Sequence, residues 1–489
     1  MLGRVGFWSC FFQWRFAEAL SRLPAGAWPK SGSDLWTCYR LGLYDTVAQS
    51  CWDGRHLRGG IAMAVSLAAC GRQTEACEVI RQLQVRHGSG NYLFKLADAL
   101  APFMPEQALA LVNHDRAPIA LRPALLLRCG EREQAASIIQ AALANLGPVH
   151  PELHLLATNA LGGAPGVKLA RLNAYLDARG LPALALKDAA LPPNVGNLTT
   201  QLELPAVQGP LVTVLMTTYN TSGLISAAIE GLLAQSWRNL EVVVVDDASS
   251  DDTSDVVGRL AARDARVKYF RLPCNAGTYV AKTIGLELSR GEFVTCHDSD
   301  DWSHPMRIER QMKPLLEDRR VIATTSQWVR VEDDGSYYAR PVHPLTRLNP
   351  ASPLFRRREV EQRMGLWNAV RTGADSEFHA RLKLVFGRRA VRRLVQPLAF
   401  GAHRPNSLMT AADTGYTAQG MSPTRLAYWE SWMKWHIASL RAGAMPVMPS
   451  LHVQALEGSP YWVPPEVQAS TQGLIACLEA VHEVKSAVR

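Results

Sequence analysis

Three aspartates, Asp298, Asp300 and Asp301, follow directly on an apolar run in the segment VTCHDSDDWSHP, residues Val294 to Pro305. Carboxylates this close repel one another and stay ionised together only where a cation compensates them. An all-oxygen donor set suits a hard ion, Mg²⁺ or Mn²⁺, which takes one or two carboxylates and fills its shell with substrate phosphates. The chemistry implied is a divalent ion bridging a phosphorylated ligand to the protein. Two more polar clusters close apolar runs: Thr217-Thr218-Tyr219-Asn220 after LVTVLM, and Asp246-Asp247 after LEVVVV. Asp251 and Asp252 in SSDDTS read instead as solvated helix-start residues. The chain has no GxxxxGK[ST] loop, and no GxGxxG follows the first strand, so metal and basic side chains must hold the phosphates.

These clusters need elements that bring them together. From Leu211 onward, apolar strands and amphipathic helices take turns. LVTVLMTTYN, LEVVVVDDASS, VKYFRLP and EFVTCHDSDD read as strands; SGLISAAIEGLLAQS, DDTSDVVGRLAARD and NAGTYVAKTIGLELSRG read as helices, with Ser222 the predicted N-cap of the first. Four consecutive valines mark a strand buried on both faces. Strand–helix alternation predicts parallel strands, right-handed crossovers and an open α/β sheet. Such sheets bind ligands beyond the carboxyl ends of their strands, so all three clusters are expected in one crevice.

LVTVLMTTYN, EVVVVDDASSDDT and NAGTYVAKTIGLELSRGEFVTCHDSDDW, in this order, closely resemble the family 2 glycosyltransferases, which have the GT-A fold. The match runs from about Val212 to Ser407, some 40% of the chain. The resemblance implies that Thr217, Tyr219 and Asp247 contact the nucleotide base, while Asp246 supports the loop. Asn275, Gly277 and Lys282 would lie near the nucleotide, although Thr283 replaces the family's usual Asn. Asp298, Asp300 and Asp301 match the DxD region, whose acids hold the metal and the ribose or diphosphate. In RTGADSEFHARL, Asp375 matches the general base, with Glu377 next in line; Asp375 could also cap the helix that follows. In FGAHRPNSL, His403 and Arg404 would stabilise the leaving diphosphate. Trp302 could stack on a sugar or sit in the core.

The implied function is an inverting, metal-dependent transfer from a nucleotide-diphosphate sugar to a hydroxyl of a growing surface glycan such as capsule or lipopolysaccharide. UDP is favoured as the family's commonest carrier. Expected partners are the donor, a glycan or lipid-linked glycan acceptor, and a protein partner or second copy docked on the helical region. Nucleic acid is not expected. One alternative, a sugar-nucleotide nucleotidyltransferase, wants a Gly-rich basic loop after the first strand that TTYNTSGLI lacks. Another, a non-catalytic helical-repeat scaffold with a nucleotide-sugar-binding domain, must explain why DSDD and GADSE are both intact.

The rest of the 489 residues divides by pattern. Residues 1–180 read as all-helical and repeat-like. Ala48, Ala76, Ala108 and Ala135 recur at spacings of 28, 32 and 27, as in helical-hairpin solenoids, where small residues let helices approach. A Pro/Gly/Asn/Thr-rich linker is expected over 181–209, a GT-A domain over 210–421 and a helical extension over 422–489, packed on the catalytic domain or at a membrane through its tryptophans. The net charge of +8 is uneven, with 13 Arg and Lys against 4 acids from Arg347 to Arg404. Arg388, Arg389, Arg392 and Arg393 are spaced to form a basic stripe on a helix, solvated or aimed at anionic acceptors. Nine cysteines without CxxC suggest free thiols in a reducing compartment. No apolar run is long enough to span a membrane. The aromatic start MLGRVGFWSCFFQWRF reads as a packed first helix, with a short interfacial anchor as its alternative. The expected location is cytoplasmic, with peripheral membrane contact.

Overall fold

The structure is a computed structural model and describes the chain except residues 1, 27, 113–117, 147–148, 201–203, 404–414, 418–419 and 489. Among the described residues, twelve helices run from Leu2–Phe12 to Pro165–Asp177, each packed on at least one chain neighbour. The evenly spaced alanines sit where helices meet: Ala76, Ala108 and Ala135 are fully buried and Ala48 nearly so. In the first helix Phe7, Cys10 and Phe11 pack inward, while Val5, Trp8 and Phe12 stay exposed. Among the described residues no helix is long and apolar enough to cross a membrane.

Within the stretch expected as a linker, the described residues hold local structure. Ala185–Leu186 pairs antiparallel with Leu198–Thr199. The Asn197 amide donates to the carbonyls of Asp188 and Leu191 at 2.9 Å each. Turn-forming composition here builds a side-chain-locked plug rather than a tether.

The main sheet has eight strands along its path: β1 (Val212–Thr218), β2 (Leu240–Asp246), β3 (Val267–Arg271), β4 (Phe293–Asp298), β5 (Asp301–Ser303), β6 (Ala323–Val331), β7 (Leu354–Arg356) and β8 (Val391–Ala402). Their order is β3-β2-β1-β4-β7-β6-β8-β5. The first four are parallel; β7 and β5 run against their neighbours. The sheet is thus mixed, mostly parallel and covered on both faces. Val243 and Val245 enter one core with Val280 and Ile284. Val242 and Val244 enter the other with Ile229 and Met312. Side-chain alternation across a pleated strand explains why the valine run had to be continuous.

Two local expectations fail. The helix after β1 is Ile225–Leu233 and has no side-chain cap; Ser222 instead offers its backbone N–H to Asp251 at 3.1 Å. Asp251 also accepts the Thr253 N–H at 3.1 Å, so the carboxylate gathers the loop and delays the helix. The arginine stripe is not helical either. The Ala374–Phe386 helix ends at Gly387, whose φ of 83° favours glycine. Arg388 and Arg389 lie in the turn, and Arg392 and Arg393 lie on β8.

The C-terminal extension and the N-terminal helices are tied together. Ser422 caps the Pro423–Arg441 helix through the Arg425 N–H at 3.2 Å. Along that helix Trp432 is fully buried and Trp429 Nε1 donates to the Leu41 carbonyl at 2.8 Å. Glu430 accepts from the Thr46 N–H at 2.9 Å and from its hydroxyl at 2.6 Å. The N-terminal helices also grip the α/β part of the chain, where Glu152 accepts the N–H groups of Leu345 and Thr346 at 2.8 and 3.0 Å.

Candidate active site

Strands β1, β2 and β4 end together, with Thr218 opposite Asp246 and Thr217 opposite Asp298. The expected convergence of polar clusters follows from this register. Thr217 Oγ1 lies 2.6 Å from Thr278 Oγ1, which ties the strand end to the start of the Thr278–Glu287 helix. Tyr219 stands in the following loop, half exposed and free to lie against a planar ring. Asp246 accepts from the Ser249 N–H and the Tyr269 hydroxyl, so it supports the loop.

Asp247 has a role the resemblance did not give it. Its two oxygens accept the Ala276 and Gly277 N–H groups at 2.7 and 2.9 Å. Burial pushes its pKa up, and these two donors pull against that shift. The carboxylate therefore fixes the NAG loop over the strand ends. Gly277 has φ 98°, and a Cβ there would lie 3.2 Å from the Arg371 backbone, so glycine is needed twice over. Asn275 accepts from Arg371 Nη2 at 2.8 Å.

The DSDD acids occupy a strained electrostatic position. Burial pushes Asp298 up to about 6; Lys282 opposes the shift, and Asp300 and Asp375 add to it. Asp301 is buried on β5 opposite Gly401. Burial and its two acidic neighbours raise it well above the usual carboxylate range, while Arg330 and the Ala402 N–H pull back. Beneath them lies Arg307, fully buried, donating to Ser303 Oγ, Thr295 Oγ1 and the Cys296 carbonyl at 3.0, 3.1 and 2.7 Å. Among the described residues no three His, Cys, Asp or Glu side chains are arranged to hold an ion by themselves. Two carboxylates that resist full ionisation fit a divalent ion whose remaining ligands come from the substrate.

The proton-accepting candidate is held by a lysine. Lys282, implied to lie near the nucleotide, is buried with its Nζ 3.0 and 3.1 Å from the two oxygens of Asp375. Burial works against its charge, yet Asp375 and Asp298 hold its pKa well above the ordinary lysine value. Tyr279 donates its hydroxyl to Asp375 Oδ2 at 3.2 Å. Asp375 is the second residue of its helix; its side chain is 19% exposed, and the residue is among those that line a large cavity. Glu377, next in line as a base, is excluded by position. It is fully buried, fork-bonded to Arg381 at 2.7 and 2.8 Å, and accepts from His436 Nε2 at 2.9 Å.

His403 is engaged with protein groups. Its Nδ1 lies 2.7 Å from Glu332 and its ring stacks on Tyr338 at 3.8 Å. Arg404 lies outside the described residues. Trp302 belongs to the core: it is 3% exposed and packs near Phe400. Sequence reasoning missed Tyr279, Arg371 and Arg307. Only Arg307 left a signal, as a charged residue on the apolar side of the Arg307–Glu317 helix.

The family model described as Glycosyl transferase family 2 matches residues 213–374. The chain carries a family 2 glycosyltransferase domain. The match covers about a third of the chain and stops one residue short of Asp375. An uncharacterised glycosyltransferase of Haemophilus influenzae is 34% identical over 113 residues, 23% of this chain and 45% of that protein. Glycosyltransferase GlyA of Streptococcus pneumoniae is 30% identical over 127 residues, 26% of this chain and 18% of that protein. A Bacillus subtilis glycosyltransferase named for teichuronic acid biosynthesis, TuaG, is 31% identical over 124 residues, 25% and 49% of the two chains. The chain thus spans less than half the length of each of these relatives. The solved structure of S. aureus TarS 1-349 with UDP-GlcNAc is 17% identical, with a TM-score of 0.37, covering 51% of this chain and 76% of that one. The transferase domain is preceded by the helices and followed by the extension that the sequence pattern separates from it.

Proposed function

We propose that the protein transfers a sugar, with inversion, from a nucleoside-diphosphate donor to a hydroxyl of a surface glycan. The observation that carries this reading is the Lys282–Asp375 pair. It sets a carboxylate that faces a cavity beside the Asp298 strand end, where a donor diphosphate belongs. The nucleoside would lie over the ends of β1 and β2, against Tyr219 and the loop that Asp247 holds. Asp298, Asp300 and Asp301 would hold Mg²⁺ or Mn²⁺. When bound, that ion supplies positive charge against the diphosphate, whose leaving oxygen gains negative charge as the glycosyl bond breaks. An acceptor hydroxyl entering from the cavity meets Asp375. The carboxylate takes its proton as the new C–O bond forms on the face opposite the leaving group. Lys282 and Tyr279 orient that carboxylate and are positioning residues. A surface glycan as acceptor is supported by the teichuronic-acid naming of one relative.

The test is release of nucleoside diphosphate from a panel of nucleotide sugars, with Mn²⁺ or with EDTA, on the native chain and on Asp300→Ala. Metal-dependent release of one diphosphate by the native protein, lost in the variant, is the expected result. Turnover that survives both EDTA and Asp300→Ala would remove the metal and the role of this acid. Nucleotide binding without turnover, with acceptor supplied, would favour the scaffold.

A further inference from the structure

The cavity that Asp375 faces has a volume of about 1160 Å³, larger than a typical small-molecule site. Its walls come from the N-terminal helices, the Ala374–Phe386 helix and the Pro423–Arg441 helix. Six cations line it, Arg15, Arg22, Arg40, Lys383, Arg388 and Arg389, against two acids, Glu18 and Asp375. Arg15 is paired with Glu18 at 2.9 Å; among the described residues Arg40, Lys383, Arg388 and Arg389 have no such carboxylate partner. Arg40 instead lies over the rings of Trp14 and Phe16, at 4.9 and 5.3 Å. Burial lowers the pKa of Arg40 and of Lys383, and Arg388 lowers both further. The two acids are already paired, Glu18 with Arg15 and Asp375 with Lys282, so the excess of positive charge that remains forms a site for an anion. Guanidinium groups favour phosphate through paired hydrogen bonds.

A second cavity of about 520 Å³ shares Trp14, Phe16 and Arg40 with the first. Beyond these three its wall is largely apolar, with Phe11, Phe12, Leu57 and Ile61, and Arg58 and Lys95 stand among them. Phe12 and Trp14, which line it, are 72% and 55% exposed. Asp375 lines only the first cavity, Arg40 lines both, and Phe11, Phe12, Leu57 and Ile61 line only the second.

We infer that the two cavities form the acceptor site, and that the acceptor is a phosphate-bearing amphiphile. Its sugar end reaches Asp375, its phosphate rests among Arg40, Lys383, Arg388 and Arg389, and its apolar tail enters the second cavity. The inference rests on the reading of Asp375 as the group that meets the acceptor. It makes the N-terminal helices the acceptor-selecting part of the enzyme, because they supply Arg40 and the whole wall of the tail site.

Calorimetric titration of the full chain tests it with three probes: dodecyl phosphate below its micelle threshold, inorganic phosphate and dodecyl maltoside. Dodecyl phosphate is expected to bind at least tenfold tighter than either other probe. Arg388→Gln with Arg389→Gln, both exposed in a turn, should weaken it at least tenfold. Phe12→Ser should weaken it and leave inorganic phosphate unchanged. If inorganic phosphate binds as well as dodecyl phosphate, the tail is absent and a tail-free polyanionic glycan is the better acceptor. If dodecyl maltoside binds equally, or the double variant binds as the native chain does, the phosphate site is overturned. UDP titrated into the same samples keeps the two readings apart. Its binding belongs to the donor edge and should be equal in all variants; failure of UDP to bind anywhere would sink the donor assignment without touching the acceptor result.

Discussion

Asp375 and Glu377 sit two residues apart in the first turn of one helix, and both have a cation within 3 Å. Asp375 faces the cavity with 19% of its side chain exposed and takes hydrogen bonds from Lys282 and Tyr279. Glu377 faces the core with none exposed, and Arg381 and His436 saturate it. Burial opposes the Glu377 charge, but Arg381 and His436 win and hold it down to about 2. A nearby cation therefore does not separate the proposed base from a structural carboxylate. Open lone pairs and access to a cavity do.

The comparison breaks if the two acids respond alike. Asp375→Asn is expected to lower kcat by about 10³-fold, in the range of a lost general base, while the variant still binds nucleotide. Activity and melting should be measured together, since the change leaves Lys282 buried opposite a neutral amide. Full activity would move the base elsewhere. Glu377→Ala is expected to do the reverse. It strands a buried guanidinium and should cost about 3 kcal/mol of stability by denaturant titration, with kcat of the folded fraction near native. The native Glu377 contribution is present above the usual carboxylate pKa near 4.5 and is lost as pH falls toward about 2. That acid-side loss should be smaller in the variant.

A third test separates the cleft from the core by proton competition. The raised Asp298, near 6, is protonated below that pH. Mn²⁺ affinity in the presence of UDP should fall about tenfold per pH unit below it. Calorimetry at pH 5 and 7 measures this; an equal affinity at both would detach Asp298 from the ion.

The two regions also differ in how well the sequence discloses them. The donor edge was legible because strand alternation and register are local rules. Once LVTVLM, EVVVV and EFVTCH are parallel strands, Thr217, Asp246 and Asp298 must end together. The buried alanines at helix contacts were legible for the same reason. The acceptor side was not. Lys282 and Asp375 are 93 residues apart, and no periodicity joins them. The cavity takes walls from residues near 14, 40, 388 and 429, a meeting that only tertiary packing creates. The arginine stripe misled because Arg388 and Arg392 have helical spacing; Gly387 before them was the better signal, since its positive φ ends the helix.

The smallest expected effect probes how the cleft carboxylate is held. Tyr279 is 5% exposed and its hydroxyl reaches Asp375 Oδ2, while its ring packs in the core. Tyr279→Phe keeps the ring and removes one hydrogen bond, whose net worth is about 0.5–1.5 kcal/mol. If that bond orients the carboxylate toward the acceptor, kcat should fall about threefold to tenfold, with the donor KM unchanged. A native rate would mean that Lys282 alone, touching both oxygens, fixes the orientation. A loss as deep as that of Asp375→Asn would mean that the phenol itself meets the acceptor, and the working group at this edge would then be the Tyr279–Asp375 pair rather than the carboxylate by itself.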